Sequence, residues 1–146
     1  MDNINWLSMV LATAAPLIIG LIFFNKVLFG NVLRGTPLDN NLNAKKGSSV
    51  ITLMVLGVFS FFLSFFLLNF NNSGINQEGD FDTFKHGAWH GTFIAITVVT
   101  PVIVTNGLLR RQSWKNMLVI IFYWIITLAL MGGILDAMNH WENVVI

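Results

Sequence analysis

A chain of 146 residues that is 55% hydrophobic and 10% charged, with a mean hydropathy of +0.70, lies outside the range of soluble globular domains. The net charge of +1 leaves no Lys/Arg cluster large enough for a phosphate-binding face, which argues against nucleic acid as a partner. The absence of cysteine excludes disulfides, thiolate metal sites, iron–sulfur clusters and cysteine nucleophiles.

A bilayer core about 30 Å thick takes about 20 apolar residues per helical span, so the chain has room for four spans. Residues 1–146 read as one all-α integral membrane domain, a polytopic four-transmembrane-helix bundle. The N-terminus carries Asp2 where a signal peptide would carry basic residues, so the first apolar run reads as a retained span. Continuous apolar runs, in place of alternating ten-residue strands, argue against a transmembrane β-barrel.

The first span covers about 5–29, with Pro16 at mid-depth, where a missing N–H and a ring clash predict a bend. Lys26 near its end is expected to snorkel toward headgroups. Residues 30–46 are polar, broken by Gly35, Pro37 and asparagines, and read as an interfacial loop. The second span, about 48–70, has no charge. Its Gly57, Ser60 and Ser64 form a small-residue stripe suited to a neighbouring helix. Phe59, Phe61, Phe62, Phe65 and Phe66 around the stripe read as packing and lipid contact rather than a quinone pocket. The following loop holds Glu78, Asp80 and Asp82 without the ligand spacing of an EF-hand, and reads as a solvated acidic loop.

The third span covers about 84–109, with Thr100-Pro101 at its centre; a kink is expected, its freed carbonyls met by threonine hydroxyls. Arg110, Arg111 and Lys115 bracket a tight turn, and the fourth span follows over about 114–140. Seven of the eight basic residues fall at the first-to-second and third-to-fourth connections. The positive-inside rule then places both termini outside. Six acidic residues (Asp2, Glu78, Asp80, Asp82, Asp136, Glu142) and Trp6, Trp89 and Trp141 share that outer side, as do all three histidines.

The groups capable of chemistry collect at two helix ends. His86 and His90 head the third span, and Asp136 and His140 close the fourth; each pair has the i,i+4 spacing of one helix face. Counting evenly from the tight turn, His86 is expected to meet His140 and His90 to meet Asp136. Gly87 and Gly91 form a GxxxG pair with Gly132 and Gly133 nearly opposite, which predicts close backbone approach along this seam.

Three imidazoles and a carboxylate suit a zinc shell, or an open one if Asp136 acts from the outer shell; copper and iron fit the same donors. Haem is less natural in so tight a seam, and a carboxylate di-iron centre lacks its Glu-x-x-His motifs. The same cluster also reads as a hydrogen-bonded, pH-responsive contact without metal.

Asn5-Trp6-Leu7, Val27-Leu28-Phe29-Gly30, His86-Gly87 with His90-Gly91, Pro101-Val102-Ile103, and Tyr123-Trp124 followed by Met131-Gly132 together resemble the small four-span membrane proteins of the domain of unknown function 1761 family. The resemblance covers nearly the whole chain. It implies a compact four-helix fold in a bacterial inner membrane and no activity. Asn25-Lys26 stands where many members carry an aromatic residue and Ser-Pro, and the histidine pair looks like a subgroup feature. The favoured expectation is a non-catalytic protein, either self-associating or an accessory subunit of a larger membrane complex. Its rival is a metal-dependent membrane enzyme acting on a lipid-like substrate at the outer leaflet, and a channel or transporter comes third.

Overall fold

In the computed structural model the described residues are 4–25, 28–29, 48–71 and 83–139. Lys26, the connection 30–46, the acidic loop with Glu78, Asp80 and Asp82, His140, Trp141 and Glu142 lie outside them. The chain forms α1 (Trp6–Phe23), α2 (Ser48–Asn71), α3 (Phe84–Ile94), a π-helical turn (Ala95–Val99), α4 (Thr100–Leu109) and α5 (Trp114–Met138). Four of the resulting helical stretches are long and apolar enough to cross a membrane: Trp6–Phe23, Ile51–Asn71, Phe84–Leu109 and Trp114–Met138. This is a multi-pass, all-helical membrane protein.

Side-chain caps set the helix starts. Asn5 accepts from the N–H groups of Leu7 and Ser8, Thr83 from His86 and Ser113 from Lys115, each meeting a donor that the first turn leaves without an intrahelical partner. The first helix is shorter than its apolar run. It stops at Phe23, and a turn brings the Phe29 N–H back to the Phe23 carbonyl with the two rings stacked 4.5 Å apart.

The tight turn between α4 and α5 is a Schellman motif. Gln112 N–H bonds to the Gly107 carbonyl and Arg111 N–H to that of Leu108, with Arg111 at φ 53°. Pro101 follows directly on the π turn, and the Thr100 hydroxyl donates to the Ala95 carbonyl at 2.8 Å, so the irregularity expected at this proline is carried by a π turn closed by threonine.

The bundle is organised around α5, which packs against α1, α2 and α3 and is the most buried of the four spans. Met9, Ala12 and Ala15 of α1, Leu67 and Leu68 of α2, Ile94 and Ala95, and Leu128, Met131 and Leu135 of α5 form the main core. Phe23, Val119 and Tyr123 form a second cluster toward the Arg110 end. There the Tyr123 hydroxyl donates to the carbonyl of Pro16, 2.9 Å away.

The small-residue stripe on α2 is used in part. Ser60 and Ser64 are buried, and the hydroxyls of Ser64 and Thr13 lie 3.3 Å apart, joining α2 to α1. Gly57 faces open space. Phe59, Phe61, Phe62, Phe65 and Phe66 are all exposed, as a surface immersed in hydrocarbon requires.

Candidate functional site

The seam between α3 and α5 is set by backbone contact. A Cβ added to Gly87 would strike the Gly132 carbonyl and the Asp136 side chain, and one added to Gly91 would strike the Leu128 carbonyl. Gly133 packs in the same seam against a side chain rather than a backbone, beneath the ring of Phe84 at the start of α3.

This register differs from an even count out of the turn. Gly107 still stands beside Met117, close to its counted mate, yet Gly91 meets Leu128 where the count gives Ile134. The slip of six positions, about one and two-thirds helical turns, arises between Gly107 and Gly91, a stretch that contains the π turn at Ala95–Val99. A π turn takes more residues per turn than an α turn, so residues before it lie nearer the hairpin than a uniform rise places them, and this one turn contributes about one of the six positions.

The slip rearranges the expected pairs. His86, rather than His90, meets Asp136: its Nδ1 lies 2.8 Å from Asp136 Oδ2, with the two side chains 21% and 6% exposed. The His86 and His90 rings share one face of α3, centroids 4.2 Å apart. His90 turns toward α2, where its Nδ1 lies 3.2 Å from Asn71 Oδ1 and its ring stands edge to face with Phe70. The Asn71 amide then donates to the Gly132 carbonyl at 3.4 Å. His86, His90 and Asp136 are thus brought together, while the fourth expected member, His140, lies outside the described residues.

Asn71 was not legible as a site residue, because it stands at the edge of an asparagine-rich stretch that reads as loop. Its signal was position: it is the last residue of an apolar helix, at the end where the glycine seam lies.

A second polar knot closes the same end of the bundle and also went unseen. Asn139 caps α5, and its buried side chain donates to Ser8 Oγ at 2.7 Å and to the Leu135 carbonyl at 2.6 Å. Its Oδ1 accepts from the Asn5 N–H at 2.8 Å, and the Asn5 amide donates to the Met138 carbonyl. The start of α1 and the end of α5 are therefore laced together by two asparagines.

Together with Asn71 of α2, the Asp136 carboxylate of α5 and the two imidazoles of α3 make a hydrogen-bonded cluster that spans three helices. Among the described residues no three His, Asp or Glu side chains are grouped so as to hold a metal ion.

The family model described as protein of unknown function (DUF1761) matches residues 7–136. The chain belongs to that family. The match takes in the glycine seam, His86, His90 and Asp136, and stops short of Asn139. Comparison with curated proteins and with solved structures gave no match.

Proposed function

We propose that this member of the family is a small non-catalytic membrane protein, a self-associating bundle or an accessory subunit of a larger membrane complex. It resides in a bacterial inner membrane with both termini on the periplasmic side. In this reading the His86–Asp136 and His90–Asn71 contacts form a clasp that holds α2, α3 and α5 in one arrangement.

One observation carries it: Nδ1 of both rings, the Asp136 carboxylate and the Asn71 amide are engaged with each other and with the backbone, so the cluster's bonding is spent on joining helices. An apolar cleft of about 250 Å³ lies between the start of α1 and α2, lined by Ile4, Trp6, Met9, Phe61, Phe62 and Phe65, none of which belongs to the cluster. Exposed Phe59, Phe62 and Phe66 on α2 supply the apolar surface that a neighbouring helix would cover.

The test is the assembly state of the full chain in mild detergent, by native mass spectrometry and by cross-linking in membranes. A defined homo-oligomer or a stable complex with another membrane protein is expected. A strictly monomeric protein that cross-links to nothing overturns the reading. A reporter fused after Ile146 is expected on the periplasmic side, and cytoplasmic activity of that reporter overturns the orientation.

A further inference from the structure

We infer that the turn between α4 and α5, with the one exposed row of α5 below it, binds an anionic phospholipid: Arg110, Arg111 and Lys115 take the phosphate, and the row takes an acyl chain. This goes beyond the proposed function, which assigns no ligand and makes no use of this turn.

α5 is the most buried of the four spans, and what it exposes is ordered. Its exposed residues are Trp114, Lys115, Leu118, Phe122, Ile126 and Leu130. Apart from Lys115 they stand four residues apart, an i+4 row inclined about 26° to the helix axis. On one side of the row α5 meets the third span through Met117 and Leu128; on the other it meets α1 through Tyr123, whose hydroxyl reaches the Pro16 carbonyl. The row is apolar apart from the indole N–H of Trp114 at its head, where an amphipathic ring suits the interface. From Trp114 to Ile126 it runs for about 18 Å of helix, against about 15 Å for one leaflet of a hydrocarbon core about 30 Å thick. A single acyl chain therefore has an apolar track along its whole depth.

Charge selects the lipid. Arg110, Arg111 and Lys115 are all exposed, and the bonds from Arg110 N–H to the Asn106 carbonyl and from Gln112 N–H to that of Gly107 hold the turn at the head of the row. Among the described residues none of the three forms an ion pair, and the one carboxylate, Asp136, lies at the far end of α5. The connection from α1 to α2 joins helix ends on this same side, and it adds Lys26, Arg34, Lys45 and Lys46 against a single acid, Asp39. Seven basic residues against one acid give this end +6, and Lys85 against six acids gives the other end −5.

Guanidinium groups pair with phosphate oxygens through two parallel hydrogen bonds, and lysine adds a mobile point charge. Each basic side chain at an anionic membrane surface strengthens attachment about fivefold. A zwitterionic lipid brings its own ammonium to the same cations and forfeits that gain. A second copy of the chain laid along the row, in the same orientation in the membrane, would set the two basic turns against each other, so like charge disfavours that occupant.

The experiment is native mass spectrometry of the full chain released from nanodiscs of equal parts phosphatidylglycerol and phosphatidylcholine, joined to photo-crosslinking by a phosphatidylglycerol with a diazirine in its acyl chain. Phosphatidylglycerol is expected to be retained at least about tenfold over phosphatidylcholine, with adducts concentrated on Leu118, Phe122 and Ile126. Arg110→Gln/Arg111→Gln/Lys115→Gln should abolish the preference. Arg34→Gln/Lys45→Gln/Lys46→Gln removes the same charge from the same end and should retain it. Equal retention of the two lipids, a preference that survives the turn variant, or one lost equally in both variants overturns the inference. Adducts spread evenly over the exposed phenylalanines of α2, or protein–protein cross-links along the row in place of lipid, overturn it as well. If the turn variant does not fold, the wild-type preference and adduct map decide alone. An absent preference leaves the assembly test untouched, and a monomer that retains phosphatidylglycerol overturns only the proposed function.

Discussion

Gly87 of α3 and Gly132 of α5 face each other backbone to backbone, with no room for a Cβ on either. Gly87→Ala would drive a methyl into the Gly132 carbonyl and the Asp136 side chain, and a main-chain atom cannot step aside as a flexible side chain can. The expected loss is about 1–3 kcal/mol, the usual range for overpacking. Gly57→Ala is the control. Nothing lies within 4 Å of a Cβ there, so it should stay within about 0.5 kcal/mol or gain slightly from helix propensity. Reversible unfolding in mixed micelles measures both.

The His86–Asp136 contact joins a carboxylate with 6% exposure to an imidazole with 21%. Removing either partner leaves the other polar and half-stranded, so His86→Ala and Asp136→Ala should each cost about 1–3 kcal/mol. Changing both together should cost less than the sum, with a coupling of about 0.5–3 kcal/mol. Additive losses in this double-mutant cycle would show that the contact contributes nothing of its own.

The four spans and the meeting of His86, His90 and Asp136 at one end were legible because each rests on a strong signal: long apolar runs, a short hairpin and i,i+4 spacing. The pairing within the cluster was not. An even count from the turn assumes two uniform helices in step, and the observed register departs from it by six positions, of which the π turn at Ala95–Val99 contributes about one, so that Asp136 goes to His86 and His90 to Asn71. The end of the first helix at Phe23 was hidden by the apolar residues Leu28 and Phe29, which continue the run after the helix has stopped. Asn5, Ser8, Asn71 and Asn139 escaped because asparagine and serine at the end of a span are equally at home in a solvated loop; the packing of α1 on α5 shows what Asn5, Ser8 and Asn139 bond, and that of α2 on α3 and α5 what Asn71 bonds.

Asn139 is 2% exposed and bonds at once to Ser8, Leu135 and Asn5. Asn139→Ala therefore removes three hydrogen bonds and leaves the buried Ser8 hydroxyl without this donor, for an expected loss of about 1–3 kcal/mol. Asn5→Ala removes an N-cap together with the bond to Met138, and should cost about 1 kcal/mol. Hydrogen exchange separates the two. Asn139→Ala is expected to raise exchange in both the first turn of α1 and the last turn of α5, and an effect confined to α5 would contradict the proposed lacing.

Arg111 holds φ 53°, the left-handed conformation that a Schellman turn demands at this position. A residue with a Cβ adopts it at a cost of roughly 1 kcal/mol, and glycine is almost free of that cost. Arg111→Gly should then raise stability by about 0.5–1 kcal/mol, the gain being trimmed by the greater freedom of glycine in the unfolded chain. Arg111→Val should do the reverse, since a β-branched residue tolerates positive φ least. The exposed side chain makes charge loss common to both changes, so opposite signs in their unfolding midpoints would isolate the backbone as the cause. Equal losses in both variants would instead show that the guanidinium itself, and not the turn, sets the stability of the hairpin that fixes the register of the site.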